Sequence, residues 1–105
     1  MTGYCRFEIL LPLEFNDGQS VPCEFLAEAA FDIQKRFGGV SWETQAIEGI
    51  WLSGGIEYRD KLNRIFVDAE DTSDNREYFI NLKHRLKSRF QQLDVWLTVH
   101  PIEVL

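Results

Sequence analysis

The sequence predicts an α+β fold, with two helices covering one face of a four-stranded antiparallel sheet. Three observations predict it. Residues Tyr4 to Leu13 alternate, with Cys5, Phe7, Ile9 and Leu11 on one side and Tyr4, Arg6, Glu8 and Leu10 on the other, the period-two pattern of a half-buried strand. From Pro22 the period turns helical, and a second helical stripe follows Asp74, each with one apolar side. Between the helices, two strand-like runs are joined by Ser53-Gly54-Gly55, the composition of a tight hairpin turn. One apolar stripe per helix and one strongly apolar face per strand require the helices to lie over one side of the sheet.

The elements follow in order. Asn16-Asp17-Gly18 marks a turn after the first strand, and Ser20 with Pro22 signals a helix start. Phe25, Leu26, Ala29, Ala30, Ile33 and Phe37 share one face, and Gly38-Gly39 stops the helix as a left-handed cap. Phe31 falls on the opposite face beside Glu24, Glu28 and Lys35. Val40 to Leu52 is rich in strand formers, but its alternation slips near Ala46-Ile47, which predicts a bulge. The next strand runs from about Ile56 to Glu70, with Ile65, Val67 and Ala69 on one face and Arg64, Phe66 and Asp68 on the other. Asp74-x-x-Glu77 is the expected capping pair of the second helix, whose stripe is Phe79, Leu82, Leu86 and Phe90. Asp94 to Val104 forms the last strand, Val95, Leu97 and Val99 alternating with Trp96, Thr98 and His100, and Pro101 is expected to end its pairing. With right-handed crossovers the β-α-β-β-α-β order gives the ferredoxin-like arrangement, spatial order 4-1-3-2, and residues 1–105 read as one domain.

Composition narrows the function classes. Eleven Lys and Arg against 17 Asp and Glu give a net charge of −6, which argues against nucleic acid as a partner. No apolar run is long enough to span a membrane, and the N-terminus has no basic-then-apolar signal pattern, so the expected location is cytoplasmic. Cys5 and Cys23 lack CxxC spacing and are expected to be free thiols in a reducing compartment. Cys23 falls near a helix N-terminus, where the dipole favours a thiolate, yet a small buried hydrophobe is the simpler role for both cysteines. Phosphate-cradling glycine loops, the GxSxG elbow and HExxH are all absent, and only His84 and His100 are available. No cofactor and no metal site is therefore expected.

Lys83-His84-Arg85-Leu86-Lys87-Ser88-Arg89 is strongly basic, but on a helix its charges split to the two edges of the apolar stripe. That is the pattern of long side chains snorkelling beside a buried surface. The open sheet face is more informative. Tyr4, Arg6, Glu8, Leu10, Arg64, Phe66, Asp68, Trp96, Thr98 and His100 share it, joined by Trp51 or Trp42 according to where the bulge falls. Aromatics left in water on such a face call for cover, so Tyr4, Arg6, Arg64, Phe66, Trp96 and His100 are the candidate binding or interface residues. The cover is expected to be a second copy of the chain, in a homodimer or homotrimer, with a small ligand or another protein as alternatives. RNA stacking is disfavoured, since the glycine-aromatic signature of RNA-binding sheets is not matched around Phe66. A catalytic use would make His100 a base oriented by Glu8 or Asp68. No nucleophile accompanies them, so a non-catalytic binding or regulatory module is the expected function, and a small dimeric α+β barrel-type enzyme with a pocket at the sheet face is the alternative.

Gly49-Ile50-Trp51, Gly55-Ile56-Glu57-Tyr58-Arg59-Asp60 and Ile65-Phe66-Val67, followed by a helix with Leu82, Leu86 and Phe90, resemble the layout of the CutA and PII-like proteins. That resemblance implies a ferredoxin-like trimer and a small-ligand sensor. It covers about half the chain, and neither the nucleotide-gripping pattern of PII proteins nor the CutA histidine-tyrosine stretch is present. Over most of its length, through Arg36-Phe37-Gly38-Gly39-Val40, Tyr58-Arg59-Asp60 and Val99-x-x-Ile102-Glu103, the chain is similar to small stand-alone bacterial proteins of unknown function, which implies the fold and no activity. Trp96→Arg is expected to weaken assembly while leaving helicity by circular dichroism near normal, because Trp96 alternates away from the helices. Loss of helicity would place Trp96 in the core.

Overall fold

The phase of one strand organises the computed structural model, which describes residues 3–105. In β1 (Tyr4–Pro12), Cys5, Phe7, Ile9 and Leu11 are buried while Tyr4, Arg6, Glu8 and Leu10 are exposed or half-buried. This is the expected alternation. α1 (Cys23–Phe37) follows, then β2 (Ser41–Trp42), β3 (Ile47–Ser53), β4 (Ile56–Glu70), α2 (Ser73–Arg89) and β5 (Trp96–Ile102). The sheet is antiparallel, in the order β5-β1-β4-β2, with β3 also paired to β4.

The sheet has five strands where four were expected. The reason is the bulge near Ala46-Ile47. Four residues, 43–46, stand opposite only 63–64, so the second predicted strand breaks into β2 and β3. Taken as one interrupted strand, the two restore the predicted order. Because the excess is two residues, side-chain phase survives the break. Trp42 pairs with Ile65 on the helix side, whereas Trp51 pairs with Tyr58 on the open face.

Both helices bury the predicted stripes. Ala29, Ala30 and Ile33 of α1 and Phe79, Leu82 and Leu86 of α2 are buried, with Phe90 just beyond. At the centre, Phe79 stacks on Phe7 at 4.3 Å and on Phe37 at 5.5 Å, with Tyr78 edge-on at 5.2 Å. Gly38 caps α1 in the left-handed conformation, its N–H donating to the Gln34 carbonyl. The cap of α2 differs from expectation: Thr72, not Asp74, is the cap, its hydroxyl accepting from the Asn75 N–H at 3.1 Å. The last strand begins at Trp96 because the Val95 N–H donates to the Asp94 carboxylate instead of the ladder. Pro101 does not end the pairing but lies opposite Cys5. β5 is an edge strand, which tolerates a proline whose missing N–H would point away from its neighbour.

β4 is 15 residues long and β1 only nine. Residues 62–70 of β4 pair with β1, while 56–61 leave the two-layer body and have β3 as their one strand partner among the described residues. The resulting hairpin arm turns through Gly54 (φ 58°) and Gly55 (φ 77°), the positive angles required by a two-residue hairpin turn whose twist matches its strands. The radius of gyration is 14.4 Å, above the roughly 13 Å of a compact chain of this length. Phe79→Ala is expected to cost about 3–5 kcal/mol and to lower the urea midpoint accordingly. Phe31→Ala, on the exposed face of α1, is expected to shift stability by no more than about 0.5 kcal/mol.

Candidate functional site

The open face of the sheet carries the candidate residues in rows. Arg6 lies between Asp68 on β4 and His100 on β5, Glu8 between Phe66 and Thr98, and Leu10 between Arg64 and Trp96. Tyr4, at the end of β1, faces Glu70 and Ile102. All six candidate binding residues therefore share one face, as antiparallel register demands of alternate residues. Trp51 of the arm joins them and Trp42 does not.

The charges on this face pair with one another. Arg6 donates from Nε and Nη2 to the two Asp68 carboxylate oxygens at 2.7 and 3.0 Å, a bidentate pair. That hydrogen bonding lowers the Asp68 carboxyl below its ordinary value. Arg64 donates to Glu8 and, at 2.9 Å, to Glu43. Both guanidinium groups also lie over Phe66, at 4.6 Å for Arg6 and 4.2 Å for Arg64, within cation–π range. Phe66 is thus half-covered by its own neighbours.

The arrangement around His100 is open. Its Nε2 is 2.8 Å from the Thr98 hydroxyl and 3.7 Å from Glu8, the latter beyond hydrogen-bonding distance. Glu8 is already engaged by Arg64 and Asp68 by Arg6. The candidate base and its orienting carboxylates are neighbours on the open face. One surface groove is lined by Tyr4, Arg36, Phe37, Asp68, Ala69, Glu70 and Asn75, another by Arg36, Asp74, Glu77, Tyr78 and Asn81. Neither contains His100. Among the described residues, no group of three His, Cys, Asp or Glu side chains converges as metal ligands would.

Other sequence features find structural partners. The basic run of α2 is tied to carboxylates: Arg85 to Asp32 and Arg89 to Glu28 on α1, and Lys83 to Asp94. Lys83 lowers the Asp94 carboxyl, and Arg76 likewise lowers Asp71. Cys5 is buried, its thiol donating to the Ala69 carbonyl at 3.6 Å and pushed up by burial, so it is the inert hydrophobe expected. Cys23 is exposed at the first residue of α1, which corrects the expectation that it is buried. The Tyr78 hydroxyl is buried without a hydrogen-bond partner among the described residues and is pushed up to about 12 by burial and by the nearby Asp32 carboxylate.

Apart from Trp51, the arm residues stand outside the candidate site read from the sequence. Ile50 and Leu52, 61% and 77% exposed, occupy its outer face, while Trp51, Tyr58 and Asp60 occupy the face continuous with the open side of the sheet. Trp51 and Trp96 meet at 6.5 Å between ring centroids. Two strands, β4 and β1, separate β3 from β5, so a flat sheet would hold these backbones about 14 Å apart. The arm therefore curls over the open face. Gly49 makes room: a Cβ there would lie 2.9 Å from Trp51 Cζ2, so the indole folds back along β3 toward Trp96. The available signal was length, since a strand that outruns its neighbour must leave the helix-covered layer.

No protein-family model matches the sequence, and no curated protein matches it. Solved structures do match the fold. A phage SAM lyase in complex with S-methyl-5'-thioadenosine superposes with a TM-score of 0.71 at 17% identity, over 96% of this chain and 83% of that one. The divalent cation tolerance protein CutA1 of Thermus thermophilus gives 0.66 at 17% identity, over 97% and 86%. CutA1 of Oryza sativa gives 0.67 at 12% identity, over 99% and 84%. At these identities the likeness establishes the shared fold, in agreement with the layout seen in the sequence.

Arg6 and Asp68 set a pH response. A carboxyl held low in the folded chain stabilises it fully above its unfolded value, about pH 4, and the contribution is lost as pH falls below that. Asp71 and Asp94 add to the same acid-side loss. Arg6→Gln should make the fall in stability below about pH 4 shallower, as read by urea midpoints across the acid range. An unchanged slope would mean that the pair does not persist in solution.

Proposed function

We propose that this chain is a non-catalytic, homo-oligomeric binding module of the cytoplasm, assembled through the outer face of its hairpin arm. The observation that carries this reading is the exposure of Ile50 and Leu52, with Ile56 at the tip 57% exposed. A two-stranded ribbon is marginal in water unless a further strand or helix covers it. Trp96 supports the inner side of the arm through Trp51, and among the described residues no element pairs with β3 on its other edge. A second copy of the arm, with the same apolar outer face, is a suitable cover. The trimeric assembly implied by the CutA and PII-like resemblance agrees with it, as does the recurrence of the fold in the CutA1 proteins.

The open face supports assembly indirectly. Its arginines and carboxylates satisfy each other, so it has less unsatisfied surface than the arm. Trp96 acts by seating the arm, and this is why Trp96→Arg should loosen the oligomer without touching the core. Against catalysis stand the exposed His100 and the engagement of Glu8 and Asp68 by arginines. No helix among the described residues is long and apolar enough to cross a membrane.

Sedimentation velocity and native mass spectrometry test the assembly directly. The wild-type chain is expected to run as a dimer or trimer at micromolar concentration. Leu52→Glu should convert it to monomer with unchanged helicity, whereas Phe31→Glu, a lone exposed aromatic on α1, should leave the mass unaltered. A monomeric wild type, or equal disruption by both variants, would overturn the reading.

A further inference from the structure

The outer face of the arm carries a charge pattern beside its apolar residues. Alternation from the Trp51–Tyr58 pair places Glu48, Ile50 and Leu52 of β3 and Glu57, Arg59 and Lys61 of β4 on it. Their cross-strand pairs are Glu48–Lys61, Ile50–Arg59 and Leu52–Glu57. From base to tip, β3 therefore presents an acid and then two aliphatics, and β4 two bases and then an acid. Ile50 and Leu52 are exposed. Arg59 Nε donates to the Glu57 carboxylate at 3.0 Å, and both side chains are more than half exposed. This face continues the side of the sheet that carries Ile65 and Val67, beyond Leu62, where β1 joins β4.

We propose that two chains stack these outer faces antiparallel, about a two-fold axis level with Trp51 and Tyr58, setting Ile50 on the partner's Leu52 and Glu57 opposite the partner's Arg59. The inference rests on the assembly reading and deepens it by fixing the partner's orientation and the number of chains. Sheets packed face to face keep their strands roughly aligned, and a two-fold axis gives two aligned stacks. With the axis along the arm, β3 covers the partner's β4. Ile50 then meets the partner's Arg59, and Leu52 meets the partner's Glu57. That sets aliphatics on charges. With the axis across the arm, β3 covers the partner's β3 in reverse, and the level of the axis decides what meets. An axis at Ile50–Arg59 sets arginine on arginine, and one at Leu52–Glu57 sets glutamate on glutamate, like charges that cost free energy across an interface. Midway, at Trp51–Tyr58, both strips match: each Ile50 meets a leucine and each Glu57 an arginine. The overlap also fits the length of the arm. The partner's Gly54-Gly55 turn falls level with Glu48 and Lys61, one residue short of Leu62 and the two-layer body. An isologous stack uses both faces and closes at two chains.

Charge variants and a cross-link test this arrangement, with sedimentation velocity reading the mass and circular dichroism confirming that each variant folds. The wild type is expected to run as a dimer. Glu57→Arg and Arg59→Glu should each weaken the dimer at least about tenfold in Kd, because each sets like charges together twice. The double variant carrying both substitutions should dimerise again, and an equimolar mixture of the two single variants should form the mixed dimer. Arg59→Lys, prepared as a mixture of unlabelled and isotope-labelled chains and treated with a carbodiimide, should join Glu57 of one chain to the introduced lysine of the other. Cross-linked peptides of mixed isotope content report that link. Its absence, or a Glu48–Lys61 link between chains as the stack with its axis along the arm predicts, would overturn the inference. So would single variants that dimerise as the wild type does, the result that pairing of β3 edges would give, or a trimeric wild type. Each of these leaves the assembly reading standing, whereas a monomeric wild type overturns both.

Discussion

Everything in this molecule is referred to the phase of β1. Its odd residues, Cys5 to Leu11, are buried at 1% exposure or less, and Phe7 is stacked on Phe79 of α2. A slip of one residue would carry Arg6 and Glu8 into an aromatic core and turn Phe7 out to water. Burying those charges without partners would cost several kcal/mol, so the register is strongly fixed. Because β1 pairs with both β4 and β5, its phase also dictates theirs. Arg64, Phe66, Asp68, Trp96 and His100 share a face for that reason alone. The candidate site is thus a by-product of the core.

The length of β4 is the second constraint, and it divides the sheet into two chemical environments. Where β4 is flanked by β1 and β2, one face is sealed by helices and the other is dressed with paired charges. Where it is flanked by β3 alone, both faces are left to solvent, and apolar residues appear on both. The inner side is partly relieved as Trp51 reaches Trp96. The outer side has no such relief among the described residues. A ribbon of this composition would be an aggregation hazard if it were left uncovered, which is the physical reason to expect a specific partner rather than a bare arm.

Much of this could be read from the sequence because it rests on short-range periodicity. The alternation of Tyr4 to Leu13, the two helical stripes and the glycine hairpin depend on local spacing, and each appears where the pattern put it. The bulge at 43–46 was visible as a slip in alternation, but its size was not. Whether Trp42 or Trp51 joined the open face turned on that count. Capping by Thr72 instead of Asp74 is a displacement of two residues, and it follows from which hydroxyl or carboxylate reaches an amide, a question of backbone path. Pro101 was misjudged because its effect depends on edge position rather than identity. The contact of the arm with the sheet was illegible for a deeper reason: Trp51, lying over Gly49, is brought to Trp96 by curvature of the sheet, and no sequence interval encodes curvature directly.

Glycine 49 connects these levels. In an exposed strand a glycine is ordinarily a liability, with a high ordering cost and no side chain to pack. Here its backbone torsion does not require it; space does, because Trp51 Cζ2, Cε2 and Nε1 all lie within 3.4 Å of where a Cβ would be. The indole lying across it brings Trp51 to Trp96, and that contact fixes the arm relative to the sheet. With the inner face of the arm set in this way, the direction in which Ile50 and Leu52 point is set as well. One missing methyl group therefore governs both the contact of the arm with the sheet and the presentation of the outer apolar surface.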